Sequence, residues 1–130
     1  MLTDQSVLIV EDNVYVALDL CAAVEEMNGR VVGPASSAAD ALSLLDSAHV
    51  SAAILDCHLE DSEATQVASR LVEKNIPYVL HTGTAVSAEL TALRPDAPVL
   101  TKPIKPKHVV ETLARHAEKA TPGKMNPILY

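Results

Sequence analysis

Three acidic residues follow apolar stretches of the sequence and could share one site. Val7–Val10 runs into Glu11 and Asp12, and Ala52–Leu55 runs into Asp56. Two carboxylates about 4 Å apart repel by roughly 4 kcal/mol at an effective dielectric constant of about 20, so such a cluster needs a proton or a cation. Mg²⁺ fits because it is small and hard and accepts carboxylate oxygens while keeping several waters. With such an ion beside it, Asp56 could accept a phosphoryl group.

A hydroxyl and an amine follow two later apolar runs. Tyr78–His81 leads to Thr82, and Pro98–Thr101 leads to Lys102. The ammonium group can pair with the Asp56 carboxylate or, after phosphorylation, with a phosphate oxygen, to which the hydroxyl can also donate. Each of these features alone is more typical of a turn, a helix cap or a solvated loop. The inference rests on their order at successive predicted strand ends.

Strand-like and helix-like patterns alternate five times along the chain. The predicted strands are short and apolar at consecutive positions, as in strands buried on both faces: Val7–Val10, Arg30–Gly33, Ala52–Leu55, Tyr78–His81 and Pro98–Thr101. Helical spacing between and after them predicts helices over 14–27, 38–45, 64–72, a short one over 87–93, and 109–117. This alternation predicts an α/β fold with three layers, in which a doubly wound parallel sheet carries helices on both faces. The polar residues above would then lie together at the carboxyl ends of the strands.

Length and composition favour one domain with an aliphatic core. The chain has 130 residues, 48% of them hydrophobic, with no Phe and no Trp. We predict a domain over 1–117 and a C-terminal tail over 118–130, where two prolines and a glycine prevent a continuing helix. The formal net charge of −7 argues against direct nucleic-acid binding. No apolar run is long enough for a membrane helix and no secretory signal is evident, so we expect a cytoplasmic protein.

Several other residues have plausible structural roles. Cys21 and Cys57 lack zinc or redox spacing and are predicted to be small buried residues of a reducing compartment. Tyr15 is predicted to be a partly buried helix residue and Tyr78 a core residue. The five histidines show no metal-ligand spacing. Of these, two are predicted to lie near the site in structural or solvated roles: His58 and His81. One chemical hypothesis is that His58 and Thr84 line the route of the water that hydrolyses an aspartyl phosphate.

As a set, four motifs resemble the receiver domain of bacterial response regulators. They are Val-Leu-Ile-Val-Glu-Asp-Asn at 7–13, Ile-Leu-Asp at 54–56, Thr-Gly at 82–83 and Thr-Lys-Pro at 101–103. The resemblance covers about residues 5–117 and implies a flavodoxin-like strand order of 2-1-3-4-5. It implies that a histidine kinase or histidine phosphotransfer protein phosphorylates Asp56. It also implies that Glu11, Asp12, Asp56 and the backbone carbonyl of His58 bind Mg²⁺. By the same resemblance, Thr82 and Lys102 contact the phosphate.

The sequence also departs from the usual receiver pattern. Pro and Gly are missing shortly after Asp56, and Val99 stands where most receivers carry an aromatic switch residue. The short fourth helix resembles an atypical subgroup found as stand-alone proteins in alphaproteobacteria, although Thr84 replaces an aromatic of that subgroup. We therefore expect a stand-alone signalling module. It would assist its own phosphoryl transfer and dephosphorylation but would not otherwise be an enzyme. Its downstream target would be a protein, and a homodimer is possible.

Two other function classes share this fold. The first is a protein-binding module that works without phosphorylation, although such a module would normally have lost an acid or the lysine. The second is a small enzyme or electron carrier such as a flavodoxin, which needs a phosphate-cradling loop after its first strand. Glu11-Asp12-Asn13 occupies that place and would repel a phosphate unless a metal intervened. A dehalogenase-like phosphatase would need a second acid two residues after Asp56, where His58 stands.

Overall fold

The computed structural model describes residues 2–59 and 63–119, and these contain five strands and five helices in strict alternation. The predicted alternation is therefore confirmed. In chain order the elements are β1 (Ser6–Val10), α1 (Val14–Glu26), β2 (Arg30–Ala35), α2 (Ala38–Ser47), β3 (Ala52–Asp56), α3 (Ala64–Glu73), β4 (Tyr78–Thr82), α4 (Ala88–Leu93), β5 (Val99–Thr101) and α5 (Pro106–Lys119).

The strands form one parallel sheet in the order β2-β1-β3-β4-β5. This confirms the predicted doubly wound fold and the flavodoxin-like order. The chain turns one way from β1 to β2 and the other way from β1 to β3, so the strand order reverses beside β1. Ligands of such sheets bind outside the carboxyl ends of the strands at this point.

The side chains of the central strands alternate between two apolar cores. Leu55 and Leu80 belong to the core that also includes residues of α2, α3 and α4. Ile54 and Val79 belong to the core that includes residues of α1 and α5. Successive side chains of a strand point to opposite faces, so apolar residues at consecutive positions supply both cores.

The prediction that all five strands are buried on both faces is wrong for the two edge strands. Every residue of β1, β3 and β4 is buried, whereas β2 and β5 contain exposed and partly exposed residues. Val99 on β5 is 49% exposed. An edge strand has a neighbour on one side only, so its apolar residues are less completely covered than those of the central strands.

Local sequence signals fix both ends of α1, the helix that begins at the site. Asn13 caps α1, because its side-chain oxygen accepts hydrogen bonds from the backbone N–H groups of Tyr15 and Val16. At the other end of α1, Asn28 has a positive φ of 65°, and a Cβ added at Gly29 would lie 2.8 Å from Val24. Glycine is required there by close packing.

β2 extends two residues beyond its predicted end at Gly33. Gly33 adopts a φ of +95°, Pro34 follows in this edge strand, and the pairing register with β1 shifts at this point. Ala35 is therefore able to accept a hydrogen bond of 2.9 Å from the backbone N–H of Glu11. This bond ties the first residue after β1 to the neighbouring strand.

Five further predictions concern single residues, the tail and membrane helices. Tyr78 is fully buried as predicted, but Tyr15 is 77% exposed, so its predicted partial burial is wrong. Cys21 and Cys57 are free and only partly buried. α5 continues to Lys119, and positions 120–130 of the predicted tail lie outside the described residues. No helix of the described part is long and apolar enough to cross a membrane.

Candidate functional site

The structure brings the acidic residues named above to one point at the carboxyl edge of the sheet. Glu11 and Asp12 follow β1, and Asp56 is the last residue of β3, the strand beside it. One carboxylate oxygen from each of the three lies within 4.8 Å of those of the others. Glu11 and Asp56 are each only 2% exposed, whereas Asp12 is exposed. Two of the three acids are thus removed from water. Their mutual repulsion is stronger in the protein interior than it would be in water.

Lys102 reaches this cluster from the loop after β5. Its Nζ lies 3.1 Å from Oε1 of Glu11 and 3.6 Å from Oδ2 of Asp56. The ammonium therefore contacts both buried carboxylates and is nearer to Glu11, although the sequence argument paired it with Asp56. The Lys102 side chain is 28% exposed, so part of its charge is screened by water.

The pKa values of the two buried acids are shifted in opposite directions. Burial raises the pKa of Asp56 to about 7, and the neighbouring Glu11 carboxylate adds to this rise. Burial also acts to raise the pKa of Glu11, but the nearby side chains of His81 and Asp56 and a hydrogen bond from the backbone N–H of Asn13 outweigh it and leave the pKa at about 2. A proton taken up by the pair near neutral pH therefore resides on Asp56, and a bound cation would displace it.

The backbone after β3 and the end of β4 complete the surroundings of Asp56. The N–H of His58 donates a 3.0 Å hydrogen bond to Oδ1 of Asp56. The buried Thr82 hydroxyl donates to the carbonyl oxygen of Thr84 at 2.9 Å and accepts from its N–H at 3.1 Å. The Thr82 hydroxyl must leave the Thr84 carbonyl before it can donate to a group on Asp56. A Cβ added at the next residue, Gly83, would meet no atom within 4 Å.

His58 and Thr84 meet at the exposed rim of the site. Nε2 of His58 and the hydroxyl of Thr84 are in hydrogen-bonding contact across the loops that follow β3 and β4. Both residues are exposed. The backbone N–H of His58 is bonded to Asp56, so this pair lies beside the phosphoacceptor candidate, as the water-route hypothesis requires.

His81 lies much deeper than the sequence indicated. It is 3% exposed, and its Nδ1 is 3.7 Å from Oε1 of Glu11. The sequence placed His81 near the site but did not identify it as a neighbour of Glu11. Strand alternation from Val79, which faces α1 and α5, is the signal that could have done so.

The donor set fits a small hard cation. Among the described residues, the only group of His, Cys, Asp and Glu side chains close enough to hold a metal consists of Glu11, Asp12 and Asp56. All its ligand atoms are carboxylate oxygens, which suit Mg²⁺ or Ca²⁺ better than softer metals. Oε1 of Glu11 is buried and has no hydrogen bond of good geometry within the described part of the chain. A cation or a nearby N–H donor would satisfy this oxygen.

Comparison with known proteins decides the family. The family model of the response regulator receiver domain matches residues 7–114, which is most of the chain. The chain belongs to the response regulator receiver domain family. A comparison with curated protein sequences finds no match.

Solved structures of receiver domains share the fold of this receiver domain. A CheY-like receiver domain protein from Methanospirillum hungatei JF-1 is 21% identical, with 89% of this chain and 95% of that chain covered and a TM-score of 0.78. A response regulator from Burkholderia pseudomallei with a phosphorylated aspartic acid and a calcium ion is 21% identical (93% and 73% covered, TM-score 0.73). The receiver domain of a sensor histidine kinase from Pseudomonas aeruginosa PAO1, with magnesium in its active-site cleft, is 20% identical (88% and 98% covered, TM-score 0.73).

Proposed function

We propose that the protein is a phosphoacceptor in a two-component or phosphorelay system and that Asp56 receives the phosphoryl group. The observation that carries this proposal is the contact of Lys102 with two buried carboxylates, Glu11 and Asp56, within one acidic cluster. A surface that served only for protein binding would gain nothing from burying these charges together, because unpaired buried carboxylates destabilise a fold. The donor would be a histidine kinase or a histidine phosphotransfer protein.

The chemistry follows from the placement of these groups. An oxygen of Asp56 attacks the phosphorus of a phosphohistidine, the P–N bond breaks, and its electron pair stays on the imidazole of the donor. Glu11, Asp12, Asp56 and the backbone carbonyl of His58 would hold Mg²⁺, which when bound neutralises charge on the transferring group. Lys102 and Thr82 would then bind the phosphate oxygens, each giving up a contact that it makes in the unphosphorylated protein.

The surface beside the acidic cluster supports a protein partner. Val14, Tyr15 and Leu18 are 57%, 77% and 56% exposed, and they lie at the start of α1, just after Glu11 and Asp12. Their spacing puts them on neighbouring positions of one helix face. Exposed apolar side chains grouped in this way favour contact with another protein. A phosphorylated histidine on such a partner would be close to Asp56.

The proposal is tested by phosphorylating the purified protein. Incubation with Mg²⁺ and acetyl phosphate is expected to add one phosphate to the wild-type chain in intact-mass measurements. The same incubation with EDTA, or with the Asp56→Asn variant, is expected to add none. A wild-type mass that stays unchanged in Mg²⁺, while a receiver of known activity gains its phosphate in parallel, would contradict the proposal and favour a phosphorylation-independent binding module.

The contact between His58 and Thr84 predicts a change in the lifetime of the aspartyl phosphate. Replacing either residue by Ala removes a side chain from the exposed rim and should open the route of water to the phosphorus, so hydrolysis should become several times faster. The measurement is the rate of phosphate loss from the isolated phosphoprotein. Thr91→Ala, an exposed change on α4, serves as the matched control. Unchanged lifetimes in both variants would end the water-route hypothesis.

A further inference from the structure

The buried imidazole of His81 has no evident structural reason. Its side chain is 4% exposed, and neither ring nitrogen has a hydrogen-bond partner within the described ranges. An unpaired polar group in such a position destabilises a fold, and most buried polar groups are paired. Val79, two residues earlier on β4, belongs to the apolar core that includes residues of α1 and α5. An apolar side chain at position 81 would therefore suit the fold better.

The position of His81 directs its ring towards the acidic cluster. His81 pairs in register with Asp56 across β3 and β4, so the two side chains emerge on the same face of the sheet. Glu11 extends from β1 on the other side of β3. Nδ1 of His81 lies 3.7 Å from Oε1 of Glu11, and a movement of about 0.5 Å would bring it within hydrogen-bond length.

Glu11 Oε1 has a second partner that does not stay in place. The Lys102 ammonium contacts this oxygen at 3.1 Å in the unphosphorylated protein. Under the proposed function, on which this inference rests, Lys102 moves to a phosphate oxygen once Asp56 is modified. Among the described residues, a protonated Nδ1 of His81 is then the remaining donor near Oε1.

We infer that His81 is a positioning residue, whose Nδ1–H donates to Oε1 of Glu11 and keeps the other carboxylate oxygen directed at the cation. Hydrogen bonds to metal-binding carboxylates orient them, and loss of such a bond typically weakens metal binding by about 10- to 100-fold.

Three substitutions distinguish the loss of the hydrogen-bond donor from the loss of the ring itself. His81→Asn places an amide nitrogen near the position of Nδ1, His81→Gln places one near Nε2, and His81→Leu offers no donor. Calorimetric titration of the full chain with MgCl₂ is expected to give tenfold or weaker affinity for the Leu and Gln variants and nearly wild-type affinity for Asn. The Leu variant should nevertheless be at least as resistant to urea in EDTA as the wild type. If His81 had only a structural role, the Mg²⁺ affinities of the variants would fall in the same order as their stabilities.

The outcomes also distinguish this inference from the proposed function. Equal Mg²⁺ affinity in the wild type and the Leu variant would overturn the role of His81 and leave the proposed function intact. A wild type that binds no Mg²⁺ would overturn both. Nitrogen NMR of the Mg²⁺-loaded wild type gives a second readout that needs no variant. A proton on Nδ1 of His81 is expected, and a proton on Nε2 alone would overturn the inference.

Discussion

Replacing Asp56 by asparagine is expected to stabilise the metal-free protein at pH 8 by about 2 kcal/mol or more. Asp56 is 2% exposed, and burial beside Glu11 raises its pKa from 3.8 to about 7. That difference corresponds to roughly 4 kcal/mol at about 1.4 kcal/mol per pH unit. We expect a smaller measured value because Glu11 and Asp56 share one charge cluster and adjust together.

The sign of the effect follows from proton binding. The folded protein binds the Asp56 proton more tightly than the unfolded chain, so this carboxyl stabilises the fold below about pH 4. The contribution is lost as pH rises to about 7 and is absent above that value. The low pKa of Glu11 acts in the opposite sense, but its effect is nearly complete by about pH 5, just above the ordinary value of 4.5. Between pH 5 and 8 the difference between wild type and variant should therefore reflect Asp56.

Urea unfolding of both proteins in EDTA at pH 5, 6, 7 and 8 measures this effect. The advantage of Asp56→Asn should grow with pH, and saturating Mg²⁺ should reverse it, since a ligand at about 100 times its dissociation constant adds about 2.7 kcal/mol. Asp19→Asn makes the same charge change at an exposed position of α1 and should leave the pH dependence unaltered. A difference that shrinks as pH rises would show that Asp56 is not held in its protonated form.

The central strands could be predicted because their own residues indicate burial on both faces of a sheet. Ala52–Leu55 and Val7–Val10 are apolar at every position, and the structure buries every one of these residues. The edge strands could not be predicted as well. Val31 and Val99 are as apolar as their central counterparts, but their exposure depends on where the strand lies in the sheet. That position is set by the crossovers and not by the residues of the strand.

Which residues meet could be predicted, but not the distances between them. The acids, Thr82 and Lys102 follow strands of a parallel sheet, so their convergence at one edge follows from topology. That Lys102 lies nearer to Glu11 than to Asp56 is a difference of 0.5 Å (3.1 Å against 3.6 Å). Such a difference depends on the loop after β5. The burial of His81 likewise depends on how α5 packs over β4.

Replacing Lys102 by methionine is expected to destabilise the metal-free protein at pH 8 by about 1–3 kcal/mol. The change keeps most of the side-chain volume but removes the cation that contacts both Glu11 and Asp56. Removing one partner of a fully buried ion pair costs about 3–5 kcal/mol. We expect less here because the Lys102 side chain is 28% exposed and partly screened.

A double-mutant cycle shows whether this loss comes from the acidic cluster. If Lys102 acts by compensating the buried charges, Lys102→Met should be much less harmful in the Asp56→Asn background, where one of those charges is gone. Mg²⁺ should also reduce the loss, because a divalent cation replaces the missing ammonium. Lys107→Met, at an exposed position of α5, is the matched control and should change stability by no more than about 0.5 kcal/mol. Equal losses in both backgrounds would contradict compensation of the Asp56 charge and would mean that Lys102 acts through Glu11 alone or through its packing in the loop after β5.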